Sequence, residues 1–202
     1  MGTGDSAGER MKNKVVAFDL DDTLIGWDTP YWEVVGSYLG IKLEPPNGWM
    51  YPNYPAKAAK AIQQLFLSDW YMIKYPKPKE GANDVIDYLK YFDYSVLVIT
   101  ARDMTMYRET AHMMYKHFPN VDFFDCVGRG MSKLETLKHH KVDYWVDDNP
   151  NQCIETADNG IKTILINQPW NQEVKQDRFL IRVNDLKEAK HLIFKKGFNA
   201  YK

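Results

Sequence analysis

The chain has 202 residues, 45% hydrophobic and 14% aromatic, enough to bury a sizeable core as one domain with at most a small insertion. Its 26 basic and 27 acidic residues are spread along the sequence and leave a formal charge of −1, so no polybasic arm or acidic tail points to nucleic acid or a membrane as partner. Cys126 and Cys153 form neither a C-x-x-C pair nor a zinc cluster and read as packing residues in a reducing compartment; with no apolar run near the ~20 residues of a membrane span and no signal-like stretch, a cytoplasmic protein is expected.

Residues 1–13, opening on the small, polar MGTGDSAGER, are expected to be disordered. The first strand is KVVAF at 14–18, and it runs directly into Asp19, Asp21 and Asp22 of DLDDT. More than 50 residues then separate Leu24 from the next core helix, far more than a compact crossover uses, so residues 26–78 read as an insertion. It carries helices of its own. TPYWEVVGSYLG has Thr29 as a cap, Pro30 at the first position and Gly40 as a stop, and PAKAAKAIQQLFLSDWY follows Pro55. YPKPK at 75–79 returns the chain as an extended linker.

Beyond it, strands and helices alternate. Residues 80–92 place Ala82, Val85, Ile86 and Leu89 on one face; 103–118 place Tyr107, Ala111, Met114 and Phe118 on one face. Strands are expected at 94–100, 121–127, 143–148 and 161–167. SKLE is a capping-box pattern with Ser132 as N-cap and Lys133 as the first helical residue, while Asn149 caps a helix with Pro150 at its first position and Gly160 at its end. The alternation predicts an α/β fold, a doubly wound parallel sheet built from 14–25 and 79–202, with 26–78 as a small helical cap inserted after the first strand.

In such sheets ligands bind outside the carboxyl ends of the strands, where Asp19 and Asp21 fall. Two carboxylates two residues apart offer a nucleophile and a proton donor and acceptor. Thr100 ends a second strand, and Asp147 with Asp148 a third. Four carboxylates together need neutralising; a hard cation with oxygen ligands, Mg²⁺, does so while leaving positions for substrate phosphate, and Lys133 adds a fixed charge. The set reads as phosphoryl-transfer machinery.

DLDDT, VITA, Lys133 and VDDNP, in that order over 14–167, resemble the four motifs of the haloacid dehalogenase superfamily, and Asp21, two residues after the nucleophile, resembles its phosphatases. The resemblance implies a Rossmann-like core and an aspartyl-phosphate on Asp19, with Asp21 as the acid and then the base. It implies phosphate binding by Thr100, the Ala101 amide and Lys133. Mg²⁺ would be held by Asp19, the Asp21 carbonyl and a motif-four aspartate; Asp148 is favoured as the direct ligand with Asp147 acting through water, and the sequence leaves the choice between the two open. An aspartate-rich turn alone could account for Asp19 and Asp21, but not for the ordered set. Asp22 and Asp28 read as exposed loop acids, and Arg102 equally as a substrate contact or as an ion pair on the crevice rim.

Eleven of the 49 residues 27–75 are aromatic, a lid able to stack a nucleobase, and residues 147–172 resemble the 5′(3′)-deoxyribonucleotidase-like branch. The expected substrate is a small phosphomonoester, specifically a (deoxy)nucleoside monophosphate. The alternative is a sugar phosphate or another small phosphomonoester. A non-catalytic nucleotide- or phosphate-binding protein would be marked by loss of Asp19 or Asp21, and both are present. Self-association into a homo-oligomer is left open by the sequence.

Overall fold

The computed structural model describes residues 14–26, 29–43, 54, 56–65 and 76–194. In chain order these form β1 (Val15–Phe18), β2 (Ile25–Gly26), α1 (Thr29–Leu39), α2 (Ala56–Leu65), β3 (Lys77–Pro78), α3 (Ala82–Tyr91) and β4 (Ser95–Thr100). A 3₁₀ turn (Met104–Met106) leads into α4 (Tyr107–His117), followed by β5 (Phe123–Cys126), α5 (Leu134–His139), β6 (Tyr144–Asp147), α6 (Pro150–Asp158) and β7 (Lys162–Ile166). A second 3₁₀ turn (Pro169–Asn171), β8 (Leu180–Val183) and α7 (Leu186–Phe194) complete the described chain.

Six strands make a sheet in the order β5-β4-β1-β6-β7-β8, every pair parallel. The chain moves outward from β1 through β4 to β5, then returns to the other side of β1 and moves outward again. That reversal beside β1 opens a crevice at the strands' carboxyl ends. Register brings those ends level: Phe18 lies opposite Val98 and Val146, and the Asp19 amide donates to the Val146 carbonyl at 2.8 Å.

Alternation along each strand builds cores on both faces. Val16, Phe18, Val96, Val98, Val146 and Ile164 point to one side, where α3, α4 and α7 supply Ile86, Leu89, Met113 and Ile193. Ala17, Leu97, Ile99 and Trp145 point to the other, against Leu134 and Leu137 of α5, while Leu165 meets Cys153 and Ala157 of α6. This is the expected doubly wound sheet.

The elements depart from expectation in four places. First, α4 buries Thr110, Met113 and Met114, whereas Tyr107 is 41% exposed and stacks on Phe124, because Thr110 and Met113 turn toward Arg102. Second, α5 starts at Leu134 with Lys133 as its cap, and SKLE forms no capping box: the Ser132 hydroxyl donates to Glu155 on α6 at 2.7 Å and accepts from the Leu134 amide at 3.1 Å. Third, YPKPK is not a free linker, since Lys77 and Pro78 pair antiparallel with Gly26 and Ile25. Fourth, a sixth strand, β8, and a terminal helix, α7, follow the last strand read from sequence.

Of the insertion, α1 joins the main core through Trp32 and Val35, with Leu43 just after it, and Trp32 is 2% exposed with its ring edge-on to Tyr54 at 5.8 Å. Trp32 is therefore a packing residue and not a free stacking face. Trp27, Asp28, Trp49, Tyr51, Trp70 and Tyr71 lie outside the described residues, as does the polar N-terminus. No helix among the described residues is long and apolar enough to cross a membrane.

Candidate active site

The strand ends converge on Asp19. Its carboxylate is 5% exposed and accepts from Lys133 Nζ at 2.6 Å; the same ammonium donates to Asp147 at 3.0 Å, so Lys133, at the head of α5, bridges the ends of β1 and β6. Lys133 is itself 2% exposed, with Nζ 4.9 Å from the centre of the Trp145 ring. Burial works against its charge, but Asp147 and Asp19 outweigh burial and hold the ammonium above its usual range.

The carboxylates show the converse strain. Burial pushes Asp19 up to about 7; Lys133 opposes the rise, while Asp147 and Asp21 add to it. Asp148 is raised well above the carboxylate range by burial, then by Asp147, Asp22 and Asp19. Oxygens of Asp19, Asp147 and Asp148 lie within 4.8 Å of one another. Three buried carboxylates, two of them sharing one ammonium, that offer only oxygen atoms fit a hard divalent cation.

Asp147 and Asp148 differ in how they are held. Asp147 spends one oxygen on Lys133 and the other on the Asn149 amide at 2.9 Å. Asp148 takes neutral donors, Thr23 Oγ1 at 3.3 Å and the Trp170 indole N–H at 3.0 Å, and its carbonyl accepts from Asn171 at 2.9 Å. Asn171 is gripped in turn by Arg182 of β8, whose guanidinium donates to its Oδ1 and its carbonyl, both at 2.7 Å.

Asp21 lies two residues further on in the loop after β1, its side chain 29% exposed. Arg102 donates to both its oxygens at 2.8 Å, through Nε and Nη2, while Thr100 Oγ1 lies 3.5 Å from one of them. Thr100 is buried and accepts from the Arg102 amide at 3.3 Å; Ala101 is half-buried between them. The DLDDT loop closes through Leu24 and Ile25 amides on the Leu20 carbonyl, at 3.0 and 2.9 Å. Asp22 adopts a left-handed φ of 61° and is half-buried instead of exposed, its carbonyl accepting from Lys79 and from Gln168.

The structure thus brings together Asp19, Lys133, Asp147 and Asp148 in one buried group, and Asp21 with Thr100 beside it. Arg102 proves to be a buried ion pair, 7% exposed, where the sequence left a substrate contact or a rim pair open. Sequence reasoning missed Thr23, Trp170, Asn171 and Arg182. Thr23 carried a signal as the last residue of DLDDT, whereas the others reach the site only because β7 lies beside β6 and β8 beside β7.

No family model matches the chain. A Bacillus subtilis (strain 168) protein described as "Putative nucleotidase YqfW" is 32% identical over 183 residues, covering 86% of this chain and 90% of that protein. Among solved structures, a haloacid dehalogenase-like family hydrolase from Xanthomonas campestris superposes with a TM-score of 0.60 at 15% identity over 93% of this chain and 96% of its own. A "putative phosphoglycolate phosphatase" from Lactobacillus delbrueckii subsp. bulgaricus superposes with a TM-score of 0.64 at 15% identity over 91% and 99%.

Proposed function

Since this chain belongs to the haloacid dehalogenase superfamily, as its 32% identity to a nucleotidase-like relative and its fold show, we propose that it hydrolyses nucleoside monophosphates through a phosphorylated Asp19. The observation that carries the phosphatase reading is Lys133, buried between Asp19 and Asp147 at the ends of two adjacent strands beside Asp148. A nucleophile is thereby held rigidly on a strand end, next to a fixed positive charge.

The chemistry follows from that placement. An Asp19 oxygen attacks phosphorus, the ester P–O bond breaks, and the departing alkoxide takes a proton from Asp21. A water molecule then attacks the same phosphorus and gives a proton to Asp21, releasing inorganic phosphate and restoring Asp19. The Thr100 hydroxyl, the Ala101 amide and the Lys133 ammonium receive the phosphoryl oxygens. Mg²⁺ fits the oxygen-only donor set: Asp19, Asp148 and the Asp21 carbonyl would hold it, with Asp147 acting through water, and it would supply positive charge against the phosphoryl oxygens. Asp148 is favoured over Asp147 as the direct ligand because one Asp147 oxygen is held by the Lys133 ammonium, whereas both Asp148 oxygens accept only from neutral donors.

Nucleoside monophosphates are favoured as substrate by the relative's description and by the sequence of 147–172. The test is a panel of nucleoside monophosphates and sugar phosphates assayed with and without Mg²⁺. Nucleotides are expected to give the highest kcat/KM. A sugar phosphate or other small phosphomonoester ahead of every nucleotide would replace the substrate assignment while leaving the phosphatase, and no turnover of any ester would sink both.

A further inference from the structure

Each of the two working carboxylates pairs with a buried cation: Asp19 with Lys133, which Asp147 shares, and Asp21 with Arg102. The second pair is the more constrained. Arg102 leaves β4 just after Thr100, and its carbonyl accepts from the Gly128 amide at 3.1 Å, tying it to the loop after β5. Its guanidinium runs back under the crevice, where Nη1 meets Thr110 Oγ1 at 3.4 Å and Met113 Sδ at 3.8 Å on α4. With that rear support, Nε and Nη2 present a planar fork to both oxygens of Asp21. A two-pronged grip fixes the carboxyl's plane as well as its position, which a single donor would not do. It takes two of about four lone-pair sites on the carboxylate, and Thr100 Oγ1 stands 3.5 Å from one of the same oxygens.

We propose that Arg102 is the positioning residue that aims the Asp21 carboxyl at the oxygen of the leaving group, without touching the substrate itself. The inference rests on the phosphatase reading above and assigns the pair a place in one step, departure of the alcohol. That step needs a well-placed proton when the alcohol is a poor leaving group. It needs almost none when the leaving group is a stable phenolate.

The test compares kcat/KM, which reports events up to loss of the first product, for p-nitrophenyl phosphate and for glycerol phosphate with Mg²⁺ present. Arg102→Lys keeps the charge but removes the fork. It should lose at least about tenfold more activity on the alkyl ester than on the aryl ester, since general acid catalysis contributes roughly 10²–10⁴-fold. Thr110→Val, which only loosens the rear support, should show a smaller bias in the same direction and carries the comparison if Arg102→Lys does not fold. Equal losses on the two esters, from a parent that hydrolyses both, overturn the inference and point to direct contact with the phosphoryl group. A parent that hydrolyses neither overturns the phosphatase reading and the inference with it.

Discussion

Asp19 is the residue on which two demands conflict: a nucleophile must be ionised, and a buried carboxyl resists ionising. Burial raises it from its ordinary 3.8 to about 7, with Lys133 limiting the rise. Between those values the folded state holds a proton that the unfolded chain has lost. The Asp19 contribution to stability is therefore complete below about pH 4 and is lost as pH climbs to about 7. Metal-free protein should melt at a lower temperature at pH 8 than at pH 5.5, and Asp19→Asn should flatten that slope while lowering turnover by several orders of magnitude. A variant that kept near-normal turnover, or the parent slope, would contradict the assignment. At this scale the sequence was informative because Asp19, Asp21, Thr100, Asp147 and Asp148 sit at strand ends, where local pattern fixes position. Arg102 was less so, since the side on which it folds depends on Thr110 and Met113 of the following helix.

Elements carry the supports of the site, and here local patterns mislead more often. SKLE has the residues of a capping box, yet the Ser132 hydroxyl is drawn to Glu155 on a neighbouring helix. β8 has a charged residue inside a four-residue strand, which weakens its apolar alternation. Arg182 is accommodated because it lies on an edge strand and folds over the turn before it, donating to Asn171 and to the Gln172 and Val174 carbonyls. That turn places Trp170 and Asn171 on Asp148. Arg182→Met should therefore weaken Mg²⁺ binding about 10–100-fold, the usual cost of disturbing a ligand's own partners, as measured by calorimetric titration of the metal into the protein. Unchanged affinity would show that the turn does not hold Asp148. For α1 the expectation is structural: Trp32→Ala should cost about 3–5 kcal/mol of stability by opening a cavity, and should impair nucleotide and p-nitrophenyl phosphate hydrolysis alike. A stable Trp32→Ala variant with a selective loss on nucleotides would return Trp32 to the role of stacking face.

For the whole molecule, sheet order explains why the functional groups come from positions up to 129 apart, Asp19 and Asp148 among them. β1 is central, β4 and β6 flank it, and the reversal of the chain beside it leaves their ends uncovered by a crossover. Apolar runs that alternate with helical stripes were enough to read this architecture, because a parallel strand buried on both faces has few alternatives. The same assembly gathers more negative charge than Lys133 can balance, and from that comes a prediction about the complete protein. Metal binding requires ionised ligands, so it must displace the protons that burial favours on Asp19 and Asp148. Mg²⁺ should therefore raise the melting temperature more at pH 8 than at pH 5.5, with a chelator abolishing both the shift and the turnover and added Mg²⁺ restoring them. Asp148→Ala should reduce the Mg²⁺-induced shift more than Asp147→Ala, because Asp147 is already paired with the Lys133 ammonium while Asp148 accepts only from neutral donors. The reverse order would make Asp147 the direct ligand, and full turnover in excess chelator would remove the cation from the site altogether.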